Sequence, residues 1–353
     1  MIREGIQRLV ERKNLTHQES EQIMEEIMSG EATPAQISAF LIALRMKGET
    51  IEEIISLIKV MKQFATRLNP NVKTRILDIV GTGGDRIKTV NVSTTAALIA
   101  AGAGATVAKH GNRSFTSKCG AADVLERFGV NIISEPSLTK KSIETIGIGF
   151  LFSPIYHPAM KYVITPRREI GVRTVFNILG PLTNPAGADA QLVGVYDLAL
   201  VEPVANVLAK LGLKEALIVY GLDGLDEIST VGKTSAAWLK GGEVKMMQFQ
   251  PSDFGVEQAK PEELIGNNVD ENAESIFKIL NNHPEGNARC KDLVMVNAAA
   301  GIVVGGLADN ISEGLTLAKE SIESGAAYGK LKSMVNASDG DKSKLEELES
   351  RFC

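Results

Sequence analysis

The sequence predicts an α/β protein with a small all-helical domain and a larger α/β domain, in which a mainly parallel central sheet is flanked by helices. Residues 1–70 combine helix-capping signals with apolar positions at helical spacing and contain no strand pattern. After residue 75, short apolar runs alternate with amphipathic helical windows, which is typical of a parallel sheet covered on both faces. The length of 353 residues suits two domains or one large one.

Cap signals mark the helices of the N-terminal part. Threonine precedes glutamate by three residues in Thr16–Glu19 and in Thr50–Glu53, which is the spacing of a capping box. Thr33 directly precedes Pro34, as in a helix with proline in its first turn. An apolar stripe over Ile2–Val10 adds a further helix. We therefore predict four short helices that end near residue 70.

The later part of the chain alternates between predicted strands and helices. The predicted strands are Ile76–Val80, Thr106–Ala108, Val130–Ile133, Gly149–Phe152, Leu192–Tyr196, Ala216–Tyr220 and, as an antiparallel edge, Val244–Phe249. The predicted helices are a window from about Ser93, Ala121–Phe128, Leu138–Ile146, Val201–Leu211 and three near Glu271–Leu280, Ala288–Val304 and Ile311–Gly325.

The segment Pro154–Pro185 does not fit this alternation. It holds five prolines and a basic cluster formed by Arg167, Arg168 and Arg173. It is either a crossing back to the helical domain or a substrate loop. We expect a small domain of residues 1–70 with a returning segment at about 166–190, and a large domain of residues 71–165 and 191–353.

Composition excludes several classes of protein. A hydrophobic share of 44% excludes disorder of the whole chain, and a net charge of −5, spread along the sequence, argues against nucleic-acid binding by bulk positive charge. The least polar run, Ala96–Ala108, is too short and too rich in glycine to span a bilayer, and the charged start has no signal-peptide pattern. Cys119, Cys290 and Cys353 lack metal or redox spacing. We expect a cytoplasmic protein that binds neither nucleic acid nor membranes.

A glycine loop, Gly81-Thr82-Gly83-Gly84-Asp85, directly follows the first predicted strand. Glycines let successive backbone N–H groups converge on an anion such as a phosphate. The loop is also compatible with a tight turn in which glycine serves geometry alone. It matches neither the spaced Gly-Lys-Ser/Thr of an ATP-binding loop nor the dinucleotide fingerprint, so a nicotinamide enzyme is a poor interpretation.

Two further motifs strengthen the anion hypothesis. Asn91–Thr95 precedes an alanine-rich helix, where hydroxyls and unpaired N–H groups cap the helix or bind a phosphate. Lys109–Ser114 follows the second predicted strand, and ligands of α/β sheets bind beyond the carboxyl ends of strands. Alone, Lys109 is more often a solvated lysine and His110 a structural histidine; together with the glycine loop, the functional interpretation is favoured.

An acidic pair, Asp226-Glu227, follows the predicted strand Ala216–Tyr220. Adjacent carboxylates in a loop are usually surface charge. They are also the oxygen ligands that Mg²⁺ shares with substrate phosphates. Asp223, before Gly224, is better explained as a turn residue.

Taken in order, these motifs resemble the anthranilate phosphoribosyltransferase family, and the match extends over most of the chain to beyond Phe249. The segments that carry it are GTGGD at 81–85, NVST at 91–94, KHGNRS at 109–114, GAADVLERFG at 120–129, YHPAMK at 156–161, RREIGVRTVFNILGPLTNP at 167–185 and the pair at 226–227. The resemblance implies transfer of a phosphoribosyl group from phosphoribosyl pyrophosphate (PRPP) to anthranilate in tryptophan biosynthesis, with Mg²⁺. It also implies a homodimer formed through the helical domain and an active site at the hinge between the domains.

The resemblance also assigns residues, none of them as a dedicated acid or base. It implies PRPP contacts from Gly81, Thr82, Gly83, Gly84, Asp85, Thr89, Asn91, Ser93, Thr94, Lys109, Ser117 and Ala121. It implies anthranilate contacts from Gly81, His110, Asn112, His157, Arg167 and Gly180, and Mg²⁺ ligands from Ser93, Asp226 and Glu227. Arg167 would face the anthranilate carboxylate, with Arg168 as the adjacent rival.

One departure and two alternatives accompany the resemblance. The family usually has serine where this chain has Ala121, which removes a hydroxyl on the phosphate side. A pyrimidine-nucleoside phosphorylase shares the fold but lacks the 173–185 block. A non-enzymatic nucleic-acid-binding relative would lose the acidic pair and gain a basic face.

Overall fold

A computed structural model describes residues 1–84, 87–114 and 119–352 of the protein. Four helices open the chain: α1 (Ile2–Val10), α2 (His17–Ser29), α3 (Pro34–Lys47) and α4 (Ile51–Gln63). The side chains of Thr16, Thr33 and Thr50 each accept a hydrogen bond from the backbone N–H three residues on, and a glutamate or glutamine there accepts the reciprocal bond. The predicted caps are therefore confirmed.

A seven-stranded sheet forms the centre of the rest of the molecule. Its strands are β1 (Ile76–Gly81), β2 (Thr106–Gly111), β3 (Ile148–Phe152), β4 (Ala190–Gly194), β5 (Glu215–Gly221), β6 (Thr234–Lys240) and β7 (Glu243–Phe249). The spatial order is β3-β2-β1-β4-β5-β6-β7, with β1 to β5 parallel and the last two antiparallel. Since the chain leaves β1 toward β2 on one side and β4 lies on the other, a crevice is expected at the carboxyl ends of β1 and β4.

Helices cover both faces of the sheet. The helices that follow β1 are α5 (Val92–Gly102), α6 (Ala121–Arg127), α7 (Pro136–Ile146), α8 (Ser153–Tyr156), α9 (Lys161–Ile170), α10 (Phe176–Leu179), α11 (Val201–Lys210), α12 (Val269–Leu280), α13 (Ala288–Val304), α14 (Ile311–Glu323), α15 (Ala326–Ala337) and α16 (Ser343–Phe352). Of these, α9 and α10 pack against the N-terminal helices. Along β1, Leu77 and Ile79 pack into a core that includes residues of α5 and α13, whereas Val80 faces a core shared with α11 and the N-terminal helices. The predicted fold class is confirmed.

The predicted strand Val130–Ile133 is wrong. The backbone there bonds locally and to the C-terminal helices: Val130 N donates to Leu125 O, and Asn131 N donates to Ser338 Oγ at 3.0 Å. Val130 is buried, but Ile133 is 70% exposed. The segment is apolar because it packs against helices, and it does not pair with a strand of the sheet.

Several elements escaped prediction. β6 carries two fully buried alanines, Ala236 and Ala237, which have little strand preference of their own; its pairing with β5 and β7 forms the strand. α9 contains Pro166, normally a helix-breaking signal, and packs against α2 and α3. α15 and α16 lie in a stretch that carried no motif.

Candidate active site

Glycines at the carboxyl ends of β1 and β4 allow an acidic loop to lie against the sheet. Gly81 and Gly194 are register partners. A Cβ on Gly81 would lie 2.5 Å from Asp226 Oδ2, and one on Gly194 would overlap the backbone oxygen of Asp226. Only glycine therefore permits this approach of Asp226 to the strand ends.

The glycine loop folds over this edge and bonds to the acidic loop. Gly83 N donates to Asp226 Oδ2 at 2.7 Å, and Thr82 N donates to Gly194 O at 2.9 Å. Gly83 and Gly84 have φ of +70° and +86°, which side-chain-bearing residues rarely adopt. Arg173 Nη2 donates to Gly84 O. The predicted residue Asp85 lies outside the described residues.

Polar groups at the start of α5 are buried without partners. Asn91 Nδ2 donates to Cys119 O at 3.1 Å, but Asn91 Oδ1 and Thr94 Oγ1 have no partner among the described residues. Ser93 is partly buried beside them. Since buried polar atoms are normally hydrogen-bonded, these atoms and the helix N-terminus indicate a site for an anionic ligand. Thr89 lies before them, in an isolated bridge with Ile265.

The end of β2 places two functional side chains on opposite faces. Successive strand residues alternate, so Lys109 points away from the face that carries His110. Both are 3% exposed. Burial lowers the pKa of Lys109, and attraction to Asp78 and Glu227 opposes that shift. Lys109 Nζ donates to His110 O at 3.3 Å.

Two buried histidines, His110 and His157, face each other with ring centroids 5.2 Å apart. Burial lowers the pKa of both, to about 4 for His157. His110 Nε2 and both nitrogens of His157 have no hydrogen-bond partner in the described part of the chain; the Thr183 backbone opposes the His157 shift without reaching hydrogen-bonding geometry. The pair is therefore neutral at pH 7 and presents both donors and acceptors.

Arg167 lies on α9, later in the chain than His157, and contacts two residues of α10. Its guanidinium carbon is 5.6 Å from the centroid of the Phe176 ring, and Nη2 is 3.5 Å from Asn177 Oδ1. Burial lowers the pKa of Arg167, whereas Arg168 is exposed. Of the two arginines predicted to face the anthranilate carboxylate, Arg167 is the more buried.

The last of the predicted site residues are Asn112, Ala121, Gly180 and Ser117. Asn112 O accepts from Ala122 N at 3.2 Å, and Ala121 opens α6 with its Cβ 3.2 Å from where a Cβ on Gly111 would lie. Gly180 is the C-cap of α10, the helix that contains Asn177. Ser117 lies outside the described residues.

The acidic pair suits a metal shared with substrate. Asp226 is buried, and Glu227 is partly buried beside it. No cluster of three or more histidine, cysteine, aspartate or glutamate side chains that could hold a metal occurs within residues 1–84, 87–114 and 119–352. Two carboxylates without a complete protein cage fit Mg²⁺, which keeps waters and takes phosphate oxygens as further ligands.

Sequence reasoning missed Asp78 and Asn184. Asp78 is fully buried in β1; Oδ1 accepts from His110 N at 3.1 Å and Oδ2 accepts from Asn184 Nδ2 at 2.8 Å. Burial raises the pKa of Asp78 to about 6, opposed by Lys109 and these hydrogen bonds. The available signal was an aspartate inside the apolar run Ile76–Val80, because a charged residue rarely sits in a buried strand without a partner.

Two family models match the chain, one over the N-terminal helices and one over most of the α/β part. The family model "Glycosyl transferase family, helical bundle domain" matches residues 3–65, and "Glycosyl transferase family, a/b domain" matches residues 73–328. An anthranilate phosphoribosyltransferase from Persephonella marina is 47% identical over 342 residues, covering 96% of this chain and 100% of that protein. One from Methanobrevibacter smithii is 49% identical over 337 residues, covering 95% and 98%.

Solved structures agree with these relatives. An anthranilate phosphoribosyltransferase from Thermus thermophilus has a TM-score of 0.89 and 38% identity, covering 95% of this chain and 99% of its own. One from Saccharomyces cerevisiae in complex with PRPP and Mg has a TM-score of 0.87 and 30% identity, covering 96% and 98%. Within the described residues, no helix is both long and apolar enough to cross a bilayer.

Proposed function

The chain belongs to the anthranilate phosphoribosyltransferase family, and from that membership we propose that it transfers the phosphoribosyl group of PRPP to the amine of anthranilate, releasing pyrophosphate in tryptophan biosynthesis. The observation that carries this proposal is the concentration of unpartnered buried polar atoms around the strand ends beside Asp226. The relatives carry this name, so we rank a nucleoside phosphorylase and a nucleic-acid-binding relative below it.

We assign PRPP to the side of the sheet edge that carries the glycine loop, Lys109 and the start of α5. Backbone N–H groups of the loop, Thr82 Oγ1 and Thr94 Oγ1 would bind phosphate oxygens. The buried Lys109 ammonium adds a cation in a sheltered environment, where attraction to a phosphate is stronger than in water. A chain of net charge −5 can thus bind a highly anionic substrate locally.

We assign anthranilate to the opposite side of β2, between the histidine pair and α9. Arg167 would pair with the carboxylate, a geometry for which a guanidinium is suited. Neutral His110 and His157 line the path without adding charge that would repel Arg167. Asn112 follows β2 and completes this side.

The chemistry requires stabilisation of the leaving group more than acid–base catalysis. Displacement at the anomeric carbon leaves negative charge on pyrophosphate, and preorganised N–H groups with Lys109 stabilise it. Asp226 and Glu227, with Ser93, would hold Mg²⁺, which supplies charge neutralisation of the phosphates when bound. The anthranilate amine is an aniline, neutral at pH 7, so it attacks without prior deprotonation. Binding both substrates in one geometry supplies much of the rate.

The test is a fluorescence assay of anthranilate consumption. Purified protein is mixed with anthranilate and PRPP, with Mg²⁺ or with a chelator, and product is identified by mass. We expect consumption of anthranilate and release of pyrophosphate only when PRPP and Mg²⁺ are both present. Cleavage of a nucleoside by inorganic phosphate, without anthranilate consumption, would support the phosphorylase instead.

We also propose that the protein is a homodimer formed through the helical domain. Val10 on α1 and Met46 on α3 are 66% and 69% exposed, and α1 packs against α3. Exposed large apolar side chains on adjacent helices are typical of an interface.

Light scattering should give twice the chain mass, and Met46→Glu should give a monomer. Met246→Glu, at a 50% exposed methionine of edge strand β7, is the matched control and should stay dimeric.

The domain division and the location remain proposals as well. We propose the small domain at residues 1–70 with a returning segment at about 166–190, supported by the packing of α9 on α2 and α3. We propose a cytoplasmic location, supported by the buried cysteines Cys119 and Cys290, which are thiols and not halves of a disulfide.

A further inference from the structure

We propose that Asp78 is a positioning residue whose two carboxylate oxygens hold the PRPP side and the anthranilate side of the site in one fixed relation. The inference rests on the proposed function and concerns a side chain that touches neither substrate. Its basis is a hydrogen-bond network beneath the strand ends, formed by Asp78, the end of β2 and the loop that follows α10.

One oxygen fixes the end of β2. Asp78 Oδ1 accepts from His110 N at 3.1 Å. Because that N–H belongs to the peptide between Lys109 and His110, the bond sets the backbone from which both predicted ligand-binding side chains leave the strand. Asp78 is fully buried, so water does not compete for the bond.

The other oxygen fixes the loop after Gly180. Asp78 Oδ2 accepts from Asn184 Nδ2 at 2.8 Å, and the same amide donates to Ala108 O at 2.8 Å. Asn184 Oδ1 accepts from Ala186 N at 2.9 Å, which closes the loop on itself. Asn184 therefore ties this loop to β1 and β2 together.

The chemistry of the network requires a carboxylate at position 78. Two N–H donors converge on the side chain from different directions, and a carboxylate offers an acceptor oxygen to each. Asparagine has the same shape but a single acceptor oxygen. In Asp78→Asn, therefore, an NH₂ group faces either His110 N–H or the Asn184 amide, and one of the two links is lost.

The experiment compares turnover with binding. Asp78→Asn is expected to lower kcat about 10- to 100-fold, since misplacement of one substrate by about 1 Å has effects of that size. The dissociation constant of each substrate measured alone by calorimetry should change by less than about threefold, because each half-site keeps its own contacts. Amide exchange should quicken by about tenfold or more at His110 where that link is lost, or at Ala186 where Asn184 turns to pair with the new amide and releases Ala186 N.

A swap of partners provides the rescue. Asn184→Asp alone places two carboxylates together and should be the least active variant. Asp78→Asn combined with Asn184→Asp restores a carboxylate–amide pair but leaves Ala108 O without its donor, so we expect kcat to recover only about twofold over Asp78→Asn. If Asp78→Asn does not fold, Asn184→Ala tests the same link from the loop side.

Glu215→Gln is the matched control, a buried carboxylate at the opposite edge of the same sheet. It should lower thermal stability and leave kcat unchanged. Wild-type kcat in Asp78→Asn, or amide exchange that stays unchanged at both His110 and Ala186, overturns the proposal. If the wild-type protein makes no product, the proposed reaction fails, whereas exchange at His110 and Ala186 still tests the link.

Discussion

The strands of the central sheet differ at their two ends in how buried polar groups are bonded. The first edge of the sheet is formed by the amino-terminal ends of the parallel strands and the second by their carboxyl ends. At the edge where β1 and β5 begin, Glu215 is 2% exposed and accepts from Arg75 Nη1 at 2.7 Å and Trp238 Nε1 at 3.0 Å. At the edge where β1 and β2 end, Thr82 Oγ1 and Thr94 Oγ1 have no partner within the described ranges. An unpaired buried polar group costs about 1–3 kcal/mol. The first edge therefore contributes stability, and the second keeps binding capacity for a ligand.

The largest expected effect is at the acidic pair of the second edge. Asp226→Asn with Glu227→Gln should lower Mg²⁺-dependent kcat about 10³-fold, because the phosphates lose a shared cation. Calorimetry of Mg²⁺ with pyrophosphate present should show the same loss of affinity without any turnover.

The control for the acidic pair is Asp223→Asn in the same loop. Asp223 Oδ1 accepts from Leu225 N at 3.1 Å, as expected of a turn residue. Its Mg²⁺ affinity should stay within about threefold of wild type. Near-wild-type turnover in the double variant would remove the metal assignment.

The next effect is a pH dependence of stability that arises at His157. Burial holds the pKa of His157 at about 4, below its ordinary 6.5, so the unfolded chain binds a proton that the folded chain does not. His157 thus makes the folded state lose about 3 kcal/mol as pH falls from 7 to 4. His157→Gln removes this loss, and urea unfolding of both proteins between those pH values measures it.

Asp78 acts in the opposite sense over the same range, because its raised pKa favours the folded state as pH falls. Asp78 is present in both proteins, so the difference between wild type and His157→Gln reports His157 together with its lowering of the pKa of His110. A difference that does not change with pH would contradict the assignment.

A smaller effect is expected at Arg167 on α9. Arg167→Ala should raise KM for anthranilate about 10- to 100-fold, the usual range for a charged hydrogen-bonded contact, with KM for PRPP little changed. Arg168→Ala, at the exposed neighbour, is the control and should leave both constants unchanged. The reverse result would move the carboxylate contact to Arg168.

The smallest expected effect is at Ala121, where the resemblance leads us to expect serine. Ala121→Ser adds a hydroxyl at the first residue of α6, close to Gly111. It should lower KM for PRPP about two- to fivefold, the contribution of one neutral hydrogen bond. Steady-state kinetics at fixed anthranilate measures this, and an unchanged or raised KM would place the residue away from the phosphates.

Local patterns account for what the sequence predicted correctly. A capping box such as Thr16–Glu19 is complete within four residues, and a buried parallel strand such as β5 is a continuous apolar run. Val130–Ile133 has the same apolar pattern but packs on helices, so an apolar run alone does not distinguish a strand from such a segment.

Asp78 shows what local patterns cannot supply. Its two partners, His110 and Asn184, lie 32 and 106 positions away, and only the folded sheet brings them together. The roles of the remaining site residues stay predictions for the same reason, since each depends on a ligand that joins distant loops.

Because side chains alternate between the two faces of β2, the register of this strand decides which side of the site each of its residues faces. In the proposed site, Lys109 and His110 serve different substrates only because β2 keeps its present register against β1, where Leu77 is the partner of Val107. An insertion or deletion of one residue before Lys109 would exchange the two side chains, sending imidazole toward the phosphates and ammonium toward Arg167. Evolution can therefore vary the loops around this strand in length, but β2 itself only in steps of two residues.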